Sequence, residues 1–197
     1  MKKNIFVAII AVIGSALLFA VVALNKNTSI TLGSDALLLR YSTDDLIKKA
    51  ELIVIGEVVS TLPSRWNGPD RIDLKNASPE EVARAHGLFT DSLISINQIL
   101  KGNIVKPVVR VRSFIGETEK VRWVNESEPS FVIRRTYLLF LAKDTGATAR
   151  IDPGDYISLG AYQGVYEIVG GKAISRNDEW VLEDLIAYIQ NSISQTP

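Results

Sequence analysis

The chain has 197 residues with 22 basic and 22 acidic side chains, so its formal net charge is zero and it shows neither a nucleic-acid binder's basic excess nor an acidic tail. The absence of cysteine excludes a disulfide framework, a thiol nucleophile, a zinc–thiolate or iron–sulfur site and a lipoprotein-type anchor. A single histidine, His86, excludes a multi-histidine metal site, and no metal and no cofactor are expected.

Composition is uneven along the chain. Residues 5–24 are apolar except at Gly14 and Ser15, a run that makes a helix of about 30 Å, the thickness of a bilayer's hydrocarbon core. Lys2 and Lys3 precede it, which places the N-terminus in the cytoplasm and the remainder outside. A retained single-pass anchor is favoured over a signal peptide cut after Ala23, because signal apolar regions are usually about 7–15 residues. Either way the rest of the chain is extracytoplasmic, tethered to the cell membrane through residues 5–24 or secreted. Residues 25–40, polar and turn-forming at Asn25–Ser29 and Gly33–Asp35, read as a tether.

A domain is expected over residues 41–177. Ser42, followed by Asp44 and Asp45, caps a short helix from Thr43 to Ala50. Leu52–Val59 is β-branched and reads as a buried central strand, with Gly56 marking a bulge or a close backbone approach. After turn residues at Pro63, Gly68, Pro69 and Asp70, Ser78 caps a helix over Pro79–His86 that Gly87 stops. Strands follow at Leu88–Leu100, Val108–Phe114, Lys120–Val124, Thr136–Ala142, Tyr156–Leu159 and Gly164–Val169, and Gly170–Gly171 turns the last onto Ala173 and Ile174. Asp178 is expected to cap a C-terminal helix, residues 178–197, whose Val181, Leu182, Leu185, Ile186 and Ile189 form an apolar stripe needing cover from the domain.

The segments Ala50–Val58, Ile99–Gly102, Thr136–Leu141 and Gln163–Tyr166, in that order behind the Asp44–Leu46 helix, resemble a group of uncharacterised exported bacterial proteins. More distantly they are similar to the netrin-like and metalloproteinase-inhibitor modules. The resemblance implies a mainly β (α+β) fold, an OB-like closed or partly open barrel with a C-terminal helix. Those inhibitors use a free N-terminal cysteine, and this chain has none, so their mechanism does not transfer.

Three groups of residues could carry chemistry. His86 could act as a general base with Asp91 or Ser92, but its position at a helix C-terminus before Gly87 is the simpler reading. Asp152, Asp155 and Glu167 could hold a cation or form an acid/base pair, although Asp152–Asp155 is also ordinary turn chemistry. Arg110 and Arg112 project from one face of a strand, and Arg122, Arg134 and Arg135 are expected nearby, with Phe114, Trp123 and Tyr162 as aromatic neighbours. An OB-type barrel holds single-stranded nucleic acid on such a face, but export argues for an anionic wall polymer, phospholipid head groups or an acidic envelope protein instead of nucleic acid. The plainer reading is a solvated face whose arginines pair with Glu117, Glu119, Glu126 and Glu128. The sequence therefore predicts a membrane-tethered extracytoplasmic binding module with Arg110, Arg112, Arg122 and Tyr162 as ligand contacts and no catalytic residues. The alternative is an exported hydrolase using Asp152, Asp155 and Glu167.

Overall fold

A computed structural model describes residues 30–33, 39–66, 88–119, 121–145 and 155–195. The expected anchor, the Pro79–His86 helix, His86 and Asp152 lie outside them. Among the described residues no helix is long and apolar enough to cross a membrane. The elements in chain order are β1 (Ile30–Gly33), α1 (Thr43–Lys49), β2 (Leu52–Thr61), β3 (Arg65–Trp66), β4 (Leu88–Lys101), β5 (Val108–Ser113), β6 (Gly116–Glu117), β7 (Val121–Val124), β8 (Thr136–Lys143), β9 (Tyr156–Ser158), β10 (Val165–Val169), β11 (Lys172–Ile174), β12 (Glu179–Val181) and α2 (Leu182–Ser194).

Five strands close a barrel. β2 pairs antiparallel with β4 and with β8, β4 pairs antiparallel with β5, and β9 completes the ring by lying parallel to β5 and antiparallel to β8. The alternation of β-strand side chains then divides the core in two. Leu52, Val54, Val58, Ile94, Val109, Val111, Tyr137, Leu139 and Leu141 fill the interior. Ile53, Ile55, Leu138 and Phe140 face outward and are covered by Leu46 and Ile47 of α1, by Tyr166 and Ala173 of the β10–β11 hairpin, and by Leu185 and Ile189 of α2. This explains the unbroken apolar runs of β2 and β8, which are buried on both faces.

Local chemistry sets the boundaries. Ser42 and Asp45 form a reciprocal capping box that starts α1, and the Lys101 ammonium donates to the Ile47 and Lys48 carbonyls at its other end, at 2.6 and 3.1 Å. Gly170 and Gly171 both have positive φ, 58° and 80°, the geometry a tight two-residue hairpin needs. The C-terminal helix starts later than expected. Val181 is its N-cap, and Asp178 instead accepts from the Trp180 indole N–H at 2.7 Å, while Glu179–Val181 pairs with β11. The β-forming Trp180 and Val181 find an open edge there, and that pairing wins over an earlier helix start.

The tether segment also contains structure. Ile30–Gly33 runs parallel to Val121–Val124 in a small separate sheet, β1–β7–β6. Farther on, Gln163 accepts from the Tyr41 N–H and donates to the Leu39 carbonyl, both at 2.9 Å.

Gly56 behaves as its sequence context implies. The β2–β4 register shifts between Ile55 and Gly56, and a Cβ on Gly56 would lie 2.6 Å from Ile94 Cγ2 and 2.7 Å from the Ser95 carbonyl oxygen. Gly56→Ala should therefore destabilise the domain by about 1–3 kcal/mol in denaturant titration, with an unchanged midpoint contradicting the close packing of β2 on β4.

Candidate functional site: the open mouth of the barrel

The interior face of β4 and β5 changes chemistry toward one end. Ile94 opposite Val109 and Ser92 opposite Val111 give way to Thr90 opposite Ser113, so apolar filling is replaced by hydroxyls. Here the barrel opens into a cavity of about 440 Å³ lined by these residues, by Thr61 and Ser64, and by the 115–131 connection. Phe131 is its inner boundary, packing edge-on against Tyr137 at 5.4 Å and against the interior cluster. Trp123 adds a second aromatic wall.

The polar groups of the mouth are unequally satisfied. Ser64 and Thr90 share a 2.8 Å hydroxyl contact, Thr90 donates to the Ile115 carbonyl at 2.7 Å, and Ser64 accepts from the Glu117 N–H at 3.0 Å. Ser113 is buried and its Oγ has no hydrogen-bond partner. Glu128 accepts from the Phe114 N–H at 3.1 Å, and burial pushes its carboxyl above the usual range while that hydrogen bond opposes the rise.

The four expected ligand contacts separate into two places. Arg122 lines the mouth, with Arg176 beside the same cavity. Tyr162 sits just outside, its N–H on the Ser127 carbonyl at 3.0 Å and its ring under the Arg176 guanidinium at 4.5 Å. Arg110 and Arg112 lie on the other side of β5, outside the barrel wall. They do share a face, but Arg112 is not solvated on it, which corrects the expectation of a wholly solvated arginine face. Its guanidinium is fully buried, gripping Asp91 through Nε at 2.8 Å and Nη2 at 3.0 Å, reaching Asp144 at 3.2 Å and stacking 3.8 Å over Phe89. Arg65 reaches the same Asp91 oxygen at 2.9 Å and Arg110 approaches it at 3.7 Å. The partners are these aspartates and not the glutamates of the 117–128 segment. Arg135 pairs with Glu167 at 2.7 Å, away from both groups.

Of the carboxylates of the hydrolase alternative, the two described ones, Asp155 and Glu167, are not brought together. Asp155 accepts from the Arg110 N–H at 2.9 Å beside Tyr156, which pairs with Lys143, while Glu167 pairs with Tyr137. Those positions are at opposite ends of β8, about 20 Å apart at the usual strand rise.

Compared with known proteins, the sequence matches no family model and no curated relative. The site therefore rests on its own geometry. Arg176, Glu128 and Ser113 are its members that sequence reasoning did not single out; Glu128 entered only as an arginine partner.

Two outcomes check this division. Arg112→Ala should cost about 3–5 kcal/mol of stability, because it strands Asp91 in a buried site, whereas Arg122→Ala should change stability by less than about 0.5 kcal/mol. Near-equal values would contradict the burial difference. Because Glu128 holds its proton more tightly folded than unfolded, its contribution to stability falls as pH rises from about the unfolded value of 4.5 through the raised folded one. Glu128→Gln should thus raise Tm relative to the parent at pH 7 and lose that advantage at pH 4; a pH-independent difference would contradict the desolvated carboxyl.

Proposed function

We propose that the chain is a non-catalytic binding module of the OB type, held at the outer face of the cell membrane, whose barrel mouth receives part of an envelope partner. The observation that carries this reading is the mouth itself. It combines two aromatic side chains, Phe131 and Trp123, with a buried hydroxyl that has no partner, in a cavity of the size small ligands and side chains occupy. Buried polar groups are ordinarily hydrogen-bonded, so an orphan at the bottom of an open cavity marks a position a ligand atom completes.

The OB-type assignment is supported by the way the ring closes, with β9 inserted between β5 and β8 so that one of its two pairings is parallel. Tethering is supported by the apolar run at residues 5–24 and by β1. Only residues 25–29 separate that run from β1, a reach of at most about 22 Å, and β1 pairs with the strand that carries Arg122 and Trp123. A connection this short supports a mouth held close to the membrane surface. A protein partner is preferred over an anionic polymer because Arg112 is committed to Asp91 and Asp144, and because Glu117, Glu126 and Glu128 share the mouth with Arg122 and Arg176.

The cysteine-free chain makes the test direct. Full-length protein carrying Arg122→Cys and expressed in a bacterial host should react with a membrane-impermeant maleimide in intact spheroplasts; reaction only after lysis contradicts extracytoplasmic placement. A photo-crosslinking residue at position 122 should capture one discrete partner that the same residue at Ile174, on the exposed face of β11, does not. Identical products at both positions contradict a binding site at the mouth.

A further inference from the structure

The floor of the mouth holds two acceptors with unmet capacity. Ser113 is 3% exposed and its Oγ is unpartnered. The Glu128 carboxyl is fixed by the N–H of the next residue, Phe114, so it lies beside the backbone that carries Ser113. Among the described residues no Lys or Arg forms an ion pair with Glu128. Of the two arginines at the rim, Arg176 donates to the Glu126 carbonyl at 2.8 Å while covering Tyr162, and Arg122 is in register with Glu117 in the β6–β7 pair.

Each class of ligand can be weighed against this floor. An anion would meet Glu128, with Glu117 and Glu126 on the same lining. A purely apolar group would bury the Ser113 hydroxyl and the Glu128 carboxyl without completing either, leaving both without the partner their desolvation calls for. A cation on an aliphatic stem satisfies all three features. Its charge supplies the partner a desolvated carboxylate lacks, its N–H groups donate to Ser113 Oγ, and its stem and charge lie against aromatic faces.

We propose that the mouth recognises a basic side chain of its partner, lysine in type, with the ammonium on Glu128 and Ser113 and the methylene stem between Trp123 and Phe131. The proposal rests on the binding-module reading and names what that module recognises. Occupation restores the ionised form of a carboxyl that burial disfavours, so binding weakens as acid protonates Glu128. The charged groups around it are Glu117, Arg122, Glu126 and Arg176.

The three tryptophans, Trp66, Trp123 and Trp180, give a direct readout. Full-length protein labelled with 5-fluorotryptophan, in neutral detergent micelles, is titrated with Nα-acetyl-lysine methylamide, with the norleucine equivalent and with glycerol 3-phosphate. The lysine compound should shift the Trp123 fluorine signal saturably and leave Trp180, stacked on Tyr188 and packed against the outer-face cluster, unmoved. Norleucine should bind about tenfold more weakly, Glu128→Gln should weaken lysine binding about tenfold and remove its pH dependence, and Ser113→Ala should weaken it about threefold. An unchanged Trp180 signal in each variant shows that the fold is intact. Equal responses to lysine and norleucine, or a response to glycerol 3-phosphate alone, overturn the basic side chain and leave a ligand-binding mouth standing. A Trp123 signal unmoved by all three overturns it as well, and the position-122 crosslink then decides the module reading separately.

Discussion

The two-sided burial of β2 and β8 is the constraint on which the rest of the structure depends. A strand buried on both faces needs apolar filling on one side and cover on the other, and the chain meets both needs with different parts. Inward residues of the five strands fill the barrel, and α1, the β10–β11 hairpin and α2 are spent on the outer face. The apolar stripe of α2 is thus committed to the fold. What is left uncommitted is the end of the barrel where Thr90, Ser92 and Ser113 replace the aliphatic residues.

Polar chemistry on the two sides of β5 follows opposite rules. Outside the wall, Arg112 is surrounded by Asp91, Asp144 and the Phe89 ring, each guanidinium edge answered by an acceptor or a π face. Such a buried, satisfied cluster fixes β4 against β5, and it is costly to break from one side only. Inside the mouth, Ser113 is unanswered and Glu128 has a single backbone donor. A satisfied network specifies structure and an unsatisfied one is where a ligand contributes. Adjacent residues of one strand, Arg112 and Ser113, therefore differ sharply: the first is fully partnered in a buried cluster, and the second is buried without a hydrogen-bond partner.

Much of the fold was legible in the sequence because it is written in local patterns. The Ser42–Asp45 cap, the unbroken runs at 52–59 and 136–142, the Gly170–Gly171 turn and Gly56 each specify a geometry within a few residues. The site was less legible. Alternation of Val109 and Val111 with Arg110 and Arg112 reads as one buried and one wet face, and only the approach of Asp91 and Asp144 from elsewhere in the chain turns the second face inward. Likewise Glu128 lies in a charged connection whose composition suggests solvent, and its burial depends on the barrel end it folds over. Arg122 and Tyr162 were legible as residues but not as neighbours, since Arg176 joins them from a third segment.

A mouth left incomplete for a ligand, as proposed, does not need the Ser113 hydroxyl for folding, and the stability of Ser113→Ala is the measurement that decides it. Removing a buried hydroxyl that has no partner removes a desolvation cost and no hydrogen bond, so equilibrium unfolding of the ligand-free variant should show stability equal to or above the parent's. A loss of more than about 1 kcal/mol would mean that Ser113 holds the fold together, and would contradict the account.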